Sequence, residues 1–537
     1  MKIRTLLLIS LAGCMWIVSS CKKTFLDRPS QTTPTVENYY NNAEEVNGAT
    51  GLLYNFVWNR WFDKAFISVG DVLGGTVTGT SGDPNYNSFY NFNIQSTDGL
   101  VADTWYSCYK AAGSASVLIH TFENKKTQVG DGTYLDLGIA EAKFIRAFAY
   151  FYIARTFGDA PIVENPVTLT EPGKSLVPRY IQSDVLKFAI EDLKVAEAKL
   201  PAVSYQPGRV TKYSAKGMMA KVYLYMKDYE NAKAKAKEVI DYATANQDKV
   251  GLHPDFNYIF TTSAANNNKE SLFSLQWLTA MGWNGGNRFQ LYVGPRALLA
   301  PAPTGGNGYS AVIPSLDMLD PATGWAAGDK RREWSVMEHG FHRAEWVNAN
   351  FPNGYTYDTT VAVGENGNGD FKIKNGTRSS IMKYVVGPNR TGEPVNNSSH
   401  SSIGTYILRY ADVLLIYAEA VLGTSASTSD ALALAAFNQV HTRARLTAVT
   451  SLTKDIILRE RKCEFAFEGD YWFDISRQGA AKAAQMIATQ ERGIYNFYKF
   501  LNSFKVTNLG ANQLFLPVPQ AETVLNPKLL EPPVPYY

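Results

Sequence analysis

Apolar positions recur at helical spacing along most of the chain, and two long stretches interrupt the rhythm. From Glu141, EAKFIRAFAYFYIARTF sets Phe144, Phe148, Phe151 and Tyr152 on one face and stops at Gly158, with Pro161 beyond. That pattern predicts a helix with its C-terminal stop. Residues 181–200 predict a second helix, packed antiparallel on the first. In RVTKYSAKGMMAKVYLYMKDYENAKAKAKEVIDYA, Ala215, Met218, Met219, Val222, Tyr223 and Met226 share one face. A further helix from Tyr229 turns Ala232, Ala236, Val239 and Ile240 inward and leaves Lys233, Lys235 and Lys237 outside.

Small Ala220, aromatic Tyr223 and small Ala232 fall at the offsets of a tetratricopeptide repeat, with Ala236 where a bulky ring is usual. Looser pairs lie around residues 140 and 181, and at 412–422 with 431–445. The fold class this predicts is mainly α, a tetratricopeptide-like helical-repeat scaffold with a large irregular region and a few short strands. The repeats are expected over about 35–67, where Thr35 is the N-cap candidate, and over 103–250 and 405–480. Residues 68–102, full of Gly, Asn, Ser, Asp and Tyr, are expected as surface loop. Residues 251–404, rich in Gly, Pro and Asn, hold only short strand-like runs such as SLFSLQW and SSIMKYVV. So long an irregular block is uncommon unless it carries function, and the ligand site is expected largely there.

The first twenty residues set the compartment. Lys2 and Arg4 precede the apolar run TLLLISLAGCMWIVSS, which is too short to span a bilayer and fits an export signal. Small residues stand before two cysteines, in LAGC ending at Cys14 and VSSC ending at Cys21. Lipidation at Cys14 would leave Met15-Trp16-Ile17-Val18 on the mature terminus, whereas Cys21 is followed by polar KKTFLDRPSQ; Cys21 is preferred, with Cys14 the alternative. Each buried methylene of an acyl chain contributes about 0.8 kcal/mol, so several chains give a stable anchor. The predicted organisation is a signal peptide at 1–20, a lipidated tether at 21–34 and one domain over 35–537, held to the membrane by its lipid alone.

Composition narrows the function. Of 537 residues 45% are hydrophobic, enough for a large core, and aromatics make up 13%, which suits a surface that stacks on ligands. Removing Lys2 and Arg4 from a net charge of +3 leaves +1, so a nucleic-acid partner has no electrostatic support. Two of the four cysteines lie in the leader; Cys108 and Cys463 sit in apolar helical patterns as free buried thiols, which excludes a disulfide framework.

Glu460, Glu464, Glu468, Asp470 and Asp474, interleaved with Arg459, Arg461 and Arg477, could suggest paired catalytic carboxylates. Their three- and four-residue offsets instead predict ion pairs internal to a helix. His339 and His342, beside Glu338 and Glu345, match no closed zinc pattern. No G-x-S-x-G elbow, Walker loop or dinucleotide fingerprint occurs. No catalytic residue, metal or cofactor is therefore assigned. Sugar binding asks for flat rings rimmed by amide and charged donors. GDPNYNSFYNFN, from Gly82, offers Tyr86, Asn87, Tyr90 and Asn91; QWLTAMGWNGGNRFQLY, from Gln276, offers Trp283, Asn287, Arg288 and Tyr292; Tyr309 and Trp325 follow. Trp283, between Gly282 and Asn284-Gly285, is the preferred platform, and Trp277, after SLFSL, is expected in the core.

Several segments in register carry a resemblance that spans essentially the whole chain. They are CKKTFLDRP at Cys21, EAKFIRAFAYFYIARTFGDAPIV at Glu141, YSAKGMMAKVYLYMKDYENA at Tyr213, YILRYADVLLIYAEAV at Tyr406, FNQVHTRARL at Phe437, IILRERKCEFAFEGDYWFDISRQG at Ile456 and LFLPVPQAETVLNPKL at Leu514. In them the chain resembles the SusD/RagB family; His441 departs from the charged or small residue common there. The resemblance implies a surface-exposed outer-membrane lipoprotein, not an enzyme, that captures oligosaccharides and delivers them to a partner TonB-dependent barrel transporter of the SusC kind. A RagB-like peptide-capturing lipoprotein is the alternative within the family. A repeat scaffold for envelope assembly and a surface glycosidase are the alternatives outside it.

Overall fold

The computed structural model describes residues 39–79, 84–282, 284–295, 298, 308–347, 351–359, 376–388, 400–496 and 500–537. The signal, Cys14, Cys21, the tether, Thr35 and Trp283 lie outside the described residues. Helix α1 (Ala43–Gly51) begins later than the pattern suggests, because Asn42 caps it by accepting the Glu45 N–H. The long helices follow: α2 (Gly99–Lys126), α3 (Thr133–Phe157), α4 (Gln182–Lys199), α5 (Lys212–Tyr225) and α6 (Tyr229–Ala245), then α7 (Tyr410–Leu422), α8 (Ala431–Arg443) and α9 (Lys454–Glu464). Helix α3 stops at Gly158, whose φ of +74° only glycine adopts freely. Helix α5 starts on a capping box in which Thr211 and Ser214 satisfy each other's backbone N–H groups.

Consecutive helices pack on one another from α2 to α6, and α7 then packs on α6 although residues 246–409 lie between them. The array is continuous, and the irregular region is an excursion inserted between two adjacent helices. At the repeat-like pair, Ala220, Ala232 and Ala236 are fully buried and let α5 and α6 approach. Tyr213 and Tyr242 stack across that pair, ring centroids 3.6 Å apart. The excursion is closed by an antiparallel ladder of β2 (Ser271–Leu275) on β4 (Thr405–Arg409), which ends where α7 begins. A second short ladder joins β1 (Val77–Gly79) to β3 (Val312–Pro314). Cys108 and Cys463 are free and buried.

Two expectations need correction. Residues 65–78 are buried throughout, and residues 84–90 form a short helix, so the expected surface loop at 68–102 begins as core over 68–78. Its glycines serve close backbone packing, a use that composition does not distinguish from a turn. The charged run at 459–477 is indeed structural, but most of its partners lie on other segments. Arg331 reaches Glu460 and Glu464 at 2.6 and 3.2 Å. Arg409 pairs with Glu270, Glu464 and Glu468 at 2.5, 2.8 and 2.7 Å, and Lys383 with Glu468 at 2.8 Å. Lys221 and Arg155 hold Asp470 at 2.7 and 2.5 Å. Only Arg477 to Asp474 follows the helical three-residue offset among the pairs of this run with described partners. Glu270, Arg331 and Lys383 belong to the excursion, so the buried charges fasten it to Arg443 on α8, to α9 and to Glu468 just beyond it.

Acid should loosen this fastening. Burial by itself would raise Glu464, Glu419 and Asp470, but their cations outweigh it and hold all three well below the carboxylate range: Arg443, Arg409 and Arg331 around Glu464; Arg477 and Lys454 around Glu419; Lys221 and Arg155 around Asp470. A carboxylate depressed in the fold stabilises above its unfolded pKa, and that contribution is lost as pH falls toward the folded value. The urea midpoint is therefore expected to fall steadily below about pH 4.5, where unfolded glutamates begin to take up protons. A midpoint unchanged between pH 5 and 3 would contradict this account.

Candidate functional site

After α1 the buried residues come in doublets four apart: Val57-Trp58, Trp61-Phe62, Ala65-Phe66. A period of four exceeds that of an α-helix, and the chain answers with widened turns at Trp61–Ala65 and Ser68–Val72, where Phe66 N–H reaches back five residues to Trp61 C=O. The outward positions then also repeat by four and carry Phe56, Arg60 and Lys64. Helix α2 lies alongside, with Asp103, Tyr106 and Lys110 at helical three- and four-residue offsets.

These side chains interlock into one partly exposed face. Lys110 Nζ sits 4.6 Å from the Phe56 ring and 5.5 Å from the Tyr106 ring. The Arg60 guanidinium covers Tyr106 at 4.5 Å and pairs with Asp103 at 2.7 Å. Burial raises the Asp103 carboxyl, Arg60 pulls it down and the neighbouring Asp63 pushes it up, which places the two carboxylates close together. Asp63 in turn accepts from the Tyr292 hydroxyl and pairs with Arg288 Nε at 3.3 Å. Burial, then the Asp63 charge, raises the Tyr292 phenol, so it stays a donor. Lys64 Nζ lies 5.7 Å from the Tyr292 ring and 5.9 Å from the Tyr86 ring. Tyr309 stands 6.2 Å from Tyr292. Phe56, Tyr106 and Tyr309 remain 40%, 43% and 43% exposed.

Of the residues singled out in the sequence, Tyr86, Arg288, Tyr292 and Tyr309 therefore meet around Asp63 and Lys64. Tyr86, Arg288 and Tyr292 are buried beneath the face and support it; Tyr309 is the exposed member. Three others turn away. Trp325 is fully buried, its Nε1 donating to Cys463 C=O at 3.2 Å, so it offers no platform. Asn287 is fully buried, bonded to Ile403 C=O at 2.9 Å and receiving Phe289 N–H, so it holds the backbone of its own turn. Tyr90 stacks on Phe504 at 4.7 Å and donates to Arg492 C=O. Asn87 is exposed on the short helix Pro84–Tyr90. Trp277 is core as expected, stacked on Phe62 at 4.7 Å. Phe56, Arg60, Asp63, Lys64, Asp103, Tyr106 and Lys110 went unrecognised in the sequence; the four-residue repeat 56, 60, 64 is the signal that marks the first of them. Among the described residues no group of three or more His, Cys, Asp or Glu could hold a metal ion, and His342 meets Thr356 at 2.8 Å.

A mainly helical, repeat-built scaffold with one long excursion, carrying exposed rings set among charges, defines a class of binding architecture that known families share. Residues 269–537 match the family model described as the SusD family, and residues 31–224 match the one described as starch-binding associating with outer membrane. The chain belongs to the SusD family. It is similar to a SusD-like protein of Bacteroides ovatus, 29% identical over 98% of this chain and 98% of that one. SusD-like protein P2 of Formosa agariphila is 27% identical over 82% of this chain and 85% of its own. Among solved structures, a crystal structure with xylogluco-oligosaccharide covers 92% of this chain and 99% of its own, with a TM-score of 0.74 and 28% identity. A laminarin binding SusD-like protein covers 91% and 98%, with a TM-score of 0.68 and 23% identity, a likeness of fold.

Proposed function

We propose that this protein is a non-enzymatic capture subunit for oligosaccharides at the outer-membrane surface, anchored by lipid at Cys21, with Cys14 the alternative, and that it passes its cargo to a SusC-like TonB-dependent barrel. The observation that carries the reading is the alternation of exposed rings with charged and hydroxyl groups from Phe56 to Tyr309. Flat rings cover the apolar C–H face of a pyranose, while Arg60, Lys64, Asp63 and Asp103 offer the donors and acceptors that hydroxyls require. The xylogluco-oligosaccharide seen with one similar structure and the laminarin named for another support a saccharide as the ligand class. Trp283, outside the described residues, is proposed as a further stacking ring for the ligand. No helix among the described residues is long and apolar enough to cross a membrane.

Titration calorimetry against xylogluco-, laminari- and malto-oligosaccharides tests the reading. Saturable heat is expected with at least one, and Tyr309→Ala is expected to weaken it about tenfold, the loss of one stacking ring. Heat with short peptides and none with any saccharide would overturn the proposal.

A further inference from the structure

A large cleft lies elsewhere. It forms where α3 ends, α4 begins, residues 92–95 run toward α2 and residues 512–518 cross over them, enclosing about 700 Å³. Clefts of about 300–1,000 Å³ are the usual size for small-molecule sites. Its walls are stitched by hydrogen bonds that do not depend on a ligand. Leu516 N–H donates to Thr156 C=O at 2.8 Å, the Gln513 amide to Phe92 C=O at 2.7 Å, and Gln182 N–H to the Asp159 carboxylate at 2.8 Å. The cavity is thus held open by the fold.

Three features say what it would take. Phe515 is 37% exposed, and a Cβ placed on Gly158 would meet its ring carbons at 3.4–3.5 Å. One face of the ring therefore rests on the helix-ending glycine and the other is left for the cleft. Arg179 lines the cleft and spends Nη2 on Glu531 C=O at 2.8 Å, which fixes where its guanidinium stands. The lining carries one cation, Arg179, and one anion, Asp159; its other polar side chains are amides, which both donate and accept. An aromatic floor, paired donors and acceptors and zero net charge suit a neutral polyhydroxylated ring and disfavour an acidic polymer.

Resting on the saccharide reading above, we infer that this cleft is a second, separate binding site for a neutral saccharide unit, with Phe515 as its platform and Arg179 as its principal donor. Hydrogen exchange on the full-length protein with a saturating xylogluco- or laminari-oligosaccharide tests it. Protection is expected at residues 92–95 and 512–518 as well as on the face at 56–64. Phe515→Ala should weaken the cleft response about tenfold while leaving the protection at 56–64 intact, and Arg179→Gln should do the same without touching the ring. Protection at 56–64 with none at the cleft overturns this inference and leaves the capture function standing. Protection of the cleft by a short neutral peptide but by no saccharide also overturns it. The absence of protection or heat at either place would sink both.

Discussion

Arg409→Met is expected to lower the free energy of unfolding by about 3–5 kcal/mol, the usual consequence of removing one partner from a buried ionic cluster. Methionine keeps most of the stem's volume, so packing is nearly preserved and the loss reads on charge. Arg409 is buried at the end of β4 and bonds Glu270, Glu464 and Glu468, besides donating to the Glu464 carbonyl at 3.2 Å. Without it three buried carboxylates share the remaining Arg443, Arg331 and Lys383. Those glutamates lie on the excursion and on the segment after α8, so the seam between excursion and array should weaken first. Arg60→Met is the control: its pair with Asp103 is short, but the guanidinium is half exposed and the expected change is under about 1 kcal/mol. Urea denaturation followed by tryptophan fluorescence reads both. Equal midpoints for the two variants would show that the buried cluster does not fasten the fold.

Gly70→Ala is expected to cost about 3 kcal/mol or more, at or beyond the upper end of overpacking penalties. A Cβ on Gly70 would stand 2.1–2.3 Å from the backbone C, O and Cα of Gly469, and one on Gly74 would stand 2.9 Å from Trp472 N. Backbone cannot swing aside as a side chain can. Gly469 is itself constrained, since its φ is +74° and its own Cβ would strike the Phe66 ring at 2.4 Å. Asp71 locks the same seam by accepting from Phe467 N–H and Gly469 N–H at 2.9 and 2.7 Å. Because the segment carrying Arg60, Asp63 and Lys64 leads straight into the widened turn that holds Gly70, the substitution should also degrade saccharide binding at that face. Gly48→Ala, in α1 with nothing within 4 Å of the added methyl, should be neutral or stabilising by up to about 1 kcal/mol. Soluble yield and urea midpoint compare the two; a Gly70→Ala protein as stable as the Gly48→Ala protein would mean that the seam can open at little cost.

These two sites also show why some of the molecule was legible in advance and some was not. Helices α3 to α6 could be read because a helix buries a stripe fixed by local spacing, and Phe148 or Ala232 declares its side from its neighbours alone. Gly70 and Gly74 were read as loop, since composition does not distinguish a glycine that turns from a glycine that admits another backbone. The acids at 460–474 were placed correctly as structure but given partners within their own helix, because Arg331, Arg409 and Lys383 lie far off in sequence. At the face, Tyr309, Arg288, Tyr292 and Tyr86, singled out by residue type, come together. Trp325 and Asn287 shared the same local chemistry and are buried, and Asp63 and Tyr106 carried no signal in their own segments.

What the sequence by itself determined is the family, the helical array and the identity of its inward faces, all consequences of periodicities that act over a few residues. Tertiary structure alone decided that the excursion leaves and rejoins between adjacent helices, that its charges pair across that junction, and which rings stay in contact with solvent. Burial and ion pairing are properties of segments brought together from distant parts of the chain, and no window of neighbouring residues contains them.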